Sequence, residues 1–343
     1  MSGTARRAAT ARRAARARTA ARRVASAALT LLVVSALTYA VFYLLPADPA
    51  QLSCGKPCTP ERLQQAREFM ALDRSVPRQY LDFLSGLVSG RSFGTGPAAV
   101  RCPAPCLGYS FRLDRPVVDL MADRLPVTVS IALGAAVLWL LLGVGAGVAA
   151  AVRPRTLLDR GVMTLAVAGV STPTYLLGLL GILLFGFTVH VLPVSGYVPL
   201  TEDPAAWAQH LVLPWCVLAA VFAAVYARLT RGQLLEVLQE DHIRAARARG
   251  LRERRVVGVH GLRNVLLPVV SVLGPDLGGL LGGAVITEHV FSLPGLGSLL
   301  LDAVGSVDLP LVVGITLLSA FLIIVANAVV DLCYGLLDPR VSG

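Results

Sequence analysis

Residues Arg228–Pro268 read RLTRGQLLEVLQEDHIRAARARGLRERRVVGVHGLRNVLLP, and their reading decides how the rest of the chain is laid out. The stretch carries nine arginines (Arg228, Arg231, Arg244, Arg247, Arg249, Arg252, Arg254, Arg255 and Arg263) and lies between two long apolar segments. Basic residues flanking spanning helices resist translocation, so this loop is expected in the cytoplasm. From Gln233 to Arg249 there is no Pro or Gly, and Leu, Ala, Glu, Gln and Arg dominate, all good helix formers. Gly250 then supplies a stop. The expectation is one or two short helices held against the membrane, offering a surface to a cytoplasmic partner.

Working outward, the whole chain has the composition of a membrane protein. Of 343 residues, 55% are hydrophobic and 15% charged, with a mean hydropathy of +0.68; soluble domains average about 25% charged. The net charge of +10 does not point to nucleic acid, because the basic residues sit in flanks and loops around apolar segments. Lys56 is the single lysine and Pro57 follows it, which excludes a phosphate-binding G-x-x-x-x-G-K-[ST] loop. ATP hydrolysis tied to this chain would belong to another one.

Residues 1–23 hold eight arginines (Arg6, Arg7, Arg12, Arg13, Arg16, Arg18, Arg22 and Arg23) and read as a solvated, disordered tail that orients the first span. Residues 24–45 are uncharged and long enough to cross about 30 Å of hydrocarbon. Residues 46–124 are polar with charges of both signs, and are expected outside as a small domain. Further spans follow at about Val127–Val152, Val162–Val189 (with Pro173 inside), Leu211–Ala227, Leu266–Ile286 and Leu309–Leu332. The loop after the second span carries Arg153, Arg155 and Arg160, whereas His190–His210 and Glu288–Asp308 carry no Lys or Arg. Six spans with both termini inside fit every short loop, giving an all-α polytopic fold with a core over residues 125–338 and a cytoplasmic tail of 339–343. Gly274, Gly278 and Gly282, with Gly279 and Gly283 alongside, and Gly143 with Gly147, recur at a spacing that lets helices approach closely in lipid.

In this order and topology, the chain resembles the membrane-spanning permease subunits of bacterial ABC importers of the dipeptide/oligopeptide type. The resemblance runs from about Ala21 to Arg340. Its most specific part is the basic loop, which looks like the EAA motif whose short coupling helix docks on the ATPase subunit. Its core is Arg244-Ala245-Ala246 with Gly250 beyond, closed by Leu267-Pro268. Arg244 stands where the general motif has Glu, so the motif's acidic contact is absent there. Leu45-Pro46-Ala47-Asp48-Pro49, Pro193-Val194-Ser195-Gly196, Glu288-His289-Val290-Phe291-Ser292-Leu293-Pro294-Gly295-Leu296-Gly297 and Asp338-Pro339-Arg340 resemble further family segments.

The resemblance implies ATP-driven import of di- or oligopeptides across the bacterial cytoplasmic membrane, with nickel or another small solute as the alternative within the family. It implies a second homologous permease, two cytoplasmic ATPase subunits carrying ATP and Mg, and an extracytoplasmic substrate-binding lipoprotein. This chain would itself bind no cofactor and no metal, and would be no enzyme. Coupling falls to Asp241, Arg244, Ala245, Ala246, Gly250, Leu267 and Pro268. The translocation path and outer gate fall to Asp276, Glu288, Phe291, Pro294, Gly295 and Gly297.

Individual residues leave alternatives open. Asp276, deepest in the fifth span, either lines an aqueous path or bonds backbone groups freed by Pro275. Glu288 either fixes the turn that follows it or meets substrate. Phe291–Leu301 is too short to cross and is broken by Pro294, Gly295 and Gly297, so it reads as a re-entrant element at the outer mouth. Cys54, Cys58, Cys102 and Cys106 are disulfide candidates with three possible pairings, a four-thiolate metal site being the rival. Cys216 and Cys333 read as packing residues. A secondary carrier would need paired inverted repeats with ion-coupling residues, and a membrane enzyme a nucleophile beside a base. Neither pattern is visible, and the five histidines form no ligand cluster.

Overall fold

The computed structural model describes residues 2–44, 50–51, 58–70, 74–94 and 99–337. The LPADP segment, Lys56, Cys54 and the closing Asp338-Pro339-Arg340 lie outside the described residues. The chain divides into two compact units, one of residues 1–118 with 306–324 and one of residues 119–305 with 325–343.

The first unit begins with helix α1, Ser2–Leu44. The expected disordered tail is corrected here: residues 2–23 are helical, because Ala and Arg stand among the strongest helix formers, and the apolar portion Ala21–Val41 continues the same helix. Helices α2, Pro60–Met70, and α3, Val76–Ser89, follow. Two small antiparallel pairs come next: β1 (Arg91–Phe93) with β2 (Val100–Cys102), and β3 (Tyr109–Ser110) with β4 (Arg115–Pro116). Along α3, Gln79, Phe83 and Gly86 are buried. Tyr80 and Phe83 meet Tyr39 of α1 at centroid distances of 5.4 and 5.5 Å, and Tyr80 Oη lies 2.8 Å from Ser35 Oγ. Cys102 and Cys106 form a disulfide within a small core with Phe93 and Tyr109. Cys58 is disulfide-bonded as well.

The second unit holds most of helix α4, Val117–Val152, then α5 (Leu157–Ser171) and α6 (Thr174–Gly181), the latter continued by π-helix through Thr188. Helix α7 covers Pro204–Val237, α8 Asp241–Ala248 and α9 Leu262–Leu281. Helices α10 (Val285–Val290) and α11 (Leu296–Gly305) close the unit. The last helix, α12, runs Leu309–Leu337. Five helices are long and apolar enough to cross a membrane, six when one bent pair counts as a span.

That bent pair corrects the expected third span. Residues Leu157–Ser171 and Thr174–Thr188 meet at 102°. Thr172 precedes Pro173 and is extended (φ −92°, ψ 125°), since the proline ring excludes the α conformation from the residue before it. The fourth span also departs from expectation. It ends as an apolar run near Ala227, but the helix persists to Val237 and absorbs Gln233–Val237 of the basic loop. Hydropathy marks where a helix leaves lipid, not where it ends.

The core of this unit is centred on Trp139, Tyr226, Ile131, Leu211 and Leu234, each with no exposed surface. Trp139 stacks on Phe222 at 4.6 Å. Helices α4 and α7 touch through two glycines: a Cβ on Gly143 would lie 2.9 Å from the Ala223 carbonyl oxygen, and one on Gly147 2.6 Å from that of Ala227. Small residues here permit backbone-to-backbone contact. Gly274 does the same against Asn327 and Val330 of α12, whereas Gly279 faces open space and takes no part in such a seam.

Candidate functional site

Two assemblies within the second unit collect most of the residues singled out by sequence. The first is α8 and its supports. Its eight residues are too few to form a stable helix alone, so its position must come from packing. Ile243 (0% exposed) and Ala246 (7%), three residues apart and therefore on one face, enter the same core as Leu234, Val237, Val256 and Val257. The opposite face presents Asp241, Arg244, Ala245, Ala248 and Arg249. Arg244 bonds Asp241 at 2.6 Å, yet both side chains stay well exposed, and a surface pair of this kind adds little stability. Arg247 pairs with Glu253 at 2.7 Å and donates to the Leu238 carbonyl, so the helix is pinned to its flanks at both ends. The Glu253 carboxylate holds the Arg247 guanidinium above its ordinary range.

Gly250 closes the element. Its φ of 76° lies in the left-handed region, its N–H bonds the Arg247 carbonyl at 2.9 Å, and a Cβ there would meet nothing within 4 Å. Leu267 and Pro268 lie within α9, both half-buried, away from α8 in sequence but on the helix that leaves the loop.

Sequence reasoning missed the brace beneath α8. Asp159, 3% exposed, accepts two bonds from the Arg231 guanidinium, one from Nη2 at 2.8 Å, and a third from the Arg155 N–H at 2.9 Å. Bidentate Arg–carboxylate pairs fix orientation as well as charge, so the start of α5 is locked to the part of α7 that carries α8. A signal was present: Asp159 is the one acid in an otherwise basic loop, three residues after the N-capping Thr156.

The second assembly is the turn around Glu288. Its side chain is 0% exposed. Oε1 accepts from the Thr128 hydroxyl at 2.9 Å, and Oε2 from the Ser298 N–H at 2.8 Å. The same Thr128 oxygen accepts the Leu296 N–H at 2.8 Å. Carboxylate and hydroxyl together satisfy donors at the N-terminus of α11 that would otherwise be orphaned, and a negative charge there also suits the helix dipole. Gly295 makes this possible, since a Cβ at that position would fall 2.3 Å from Glu288 Cδ. Phe291 is 2% exposed, Gly297 is buried against Val285, and Pro294 is half-buried.

Asp276 belongs to neither assembly. It is half-buried and accepts the Tyr226 hydroxyl at 2.9 Å, a partner fifty residues away that no local pattern announces. Cys216, expected to pack, is exposed on α7; a cysteine reads as core only when its helical face is known. Among the described residues no group of three His, Cys, Asp or Glu gathers as a metal site.

These features define a polytopic membrane protein with a short, packed helix in a basic loop and a capped turn after α9. Comparison gives the class. Residues 17–132 match the N-terminal model of the binding-protein-dependent transport system membrane components, and residues 143–343 match the binding-protein-dependent transport system inner membrane component. The chain belongs to this family of transport-system membrane subunits. It is 39% identical over 319 residues to a putative peptide transport system permease protein of Brucella abortus, covering 93% of this chain and 97% of that protein. It is 38% identical to the di/tripeptide transport system permease protein DppB of Pseudomonas aeruginosa (90% and 94% covered). Against the dipeptide transport system permease protein DppB of Escherichia coli the identity is 36% (91% and 95%).

Proposed function

We propose that this chain is a membrane subunit of an ATP-driven importer of di- or oligopeptides, forming half of the translocation path. On this reading the partners are a second permease, two ATPases that bind ATP and Mg, and an extracytoplasmic binding protein. Both termini and the Arg228–Pro268 loop face the cytoplasm, residues 46–124 face outward, and the Glu288 turn lies towards the outer end. The charge asymmetry of the short loops supports that orientation. The peptide substrate is supported by the names of three relatives that each cover nine-tenths or more of this chain.

The observation that carries the coupling role is α8 itself. Two residues hold it to the core, while Asp241, Arg244 and Ala245 face away with no internal task beyond one exposed ion pair. A helix built this way transmits motion between whatever sits on its outer face and the long helix behind it. Closure of the ATPase pair would push α8, and the Asp159–Arg231 brace would carry the push into α5 and α7.

The test is Gly250→Trp in the assembled transporter reconstituted in vesicles. Peptide uptake should fall at least about tenfold while ATP hydrolysis persists, because the indole occupies the docking face. Uptake and its coupling to hydrolysis both equal to wild type would refute the assignment.

A further inference from the structure

A cavity of about 630 Å³ lies wholly within the second unit, and neither assembly above accounts for it. Its walls come from the N-terminal half of α4 (Asp123, Arg124, Pro126, Val127, Val129, Ser130), from the segment Tyr197–Thr201, and from Pro294 of the Glu288 turn. Its volume falls within the roughly 300–1,000 Å³ of small-ligand sites, which are mostly apolar with a few placed polar groups. Pro126, Pro199 and Pro294 have fixed φ and no N–H, so these walls are stiff.

The polar groups are held in place. Ser130 Oγ donates to the Pro126 carbonyl at 2.7 Å, accepts the Trp207 indole N–H at 3.2 Å and lies 3.4 Å from Tyr197 Oη. Trp215 Nε1 donates to the Ser130 carbonyl at 3.0 Å. The Tyr197 ring packs against the core and forms a wall whose hydroxyl retains hydrogen-bonding capacity. Arg124 is half-buried and, among the described residues, has no carboxylate partner. Asp123 lines the same cavity.

We infer that this cavity is a subsite for the transported peptide, in which Arg124 receives the C-terminal carboxylate. A guanidinium matches a carboxylate in two parallel bonds, and the terminus is the feature that peptides of any sequence share. The apolar and proline walls would accept varied side chains without reading them. The site also touches the Glu288 device directly: Val127 and Val129 flank the Thr128 that holds Glu288, and Pro294 belongs to the turn itself. Occupancy therefore presses on the turn whose backbone Glu288 and Thr128 hold.

This inference rests on the peptide-importer reading, and the experiment separates the two. Uptake of dialanine and of dialanine amide is measured in vesicles holding the complete transporter with its binding protein. Arg124→Gln should lower the maximal uptake rate of dialanine by about tenfold or more, and leave that of the amide within about twofold of wild type. The binding protein is unaltered, so its own preference cancels between variant and wild type. Equal losses on both substrates, or no loss on either, overturn the subsite. Should Arg124→Gln not assemble, Thr201→Trp, which fills the exposed rim, must slow both substrates; unchanged uptake overturns it equally. No dialanine uptake by wild type would instead sink the importer reading beneath it.

Discussion

At the residue scale, two buried polar groups, Thr128 and Glu288, meet at one turn. Glu288 and Thr128 are 160 positions apart, yet one hydroxyl serves the carboxylate and the Leu296 N–H at once. Thr128→Val keeps the shape and removes both bonds, leaving the Glu288 carboxylate one bond short and the buried Leu296 N–H unsatisfied, at about 1–3 kcal/mol for such a group. The thermal midpoint of the purified complex should drop clearly, and Thr128→Ser should restore most of it; a Val variant as stable as wild type would show that the turn is held by packing alone. A second buried acid gives a pH signature. Asp308, at the start of α12, accepts from Ser110 Oγ and from the Leu311 N–H, but burial outweighs these bonds and raises its pKa. The folded form then keeps a proton that the unfolded chain has lost, so stability falls as pH rises from the ordinary carboxylate value through the raised one. Asp308→Asn should flatten this acid-range slope in a series of melting curves, and an unchanged slope would assign it elsewhere. Of these residues, Glu288 was legible because it opened a recognisable Pro-Gly segment. Thr128, Asp308 and the Tyr226 partner of Asp276 were not, because their roles depend on which distant backbone comes to lie beside them.

At the element scale, runs of about twenty apolar residues announce themselves, and α1, α4, α7, α9 and α12 are all where hydropathy placed them. What hydropathy could not give is how each helix ends. Helix α7 continues ten residues past its apolar run, and the third span breaks at Pro173. Arginine, alanine and leucine sustain a helix in water as well as in lipid, so composition marks the interface but not the terminus. The short α8 was legible through its good helix formers and the glycine behind it. The bare surroundings of Gly250 sharpen the coupling test. Because no atom lies near its missing Cβ, Gly250→Ala adds only the left-handed strain, about 1–2 kcal/mol, and should keep most transport. The tryptophan variant carries the same backbone strain, so a larger effect would come from the bulk of its indole on this face. Equal defects in both would point to backbone strain instead.

At the scale of the whole molecule, the chain is a membrane-embedded subunit of a transport system, with no phosphate-binding loop of its own. The proposed division of labour puts the conduit here and the nucleotide chemistry on partners that grip α8. Ala245 reports on it most directly, because it is exposed on α8 whereas Ala246 is buried. The measurement is Ala245→Cys, in a background with Cys216→Ser and Cys333→Ser, tested by disulfide crosslinking within the assembled complex and by an impermeant thiol reagent on intact cells. A crosslink to an ATPase subunit carrying its own cysteine is expected, with no labelling until the membrane is opened. Labelling of Cys at this position from outside intact cells would contradict it.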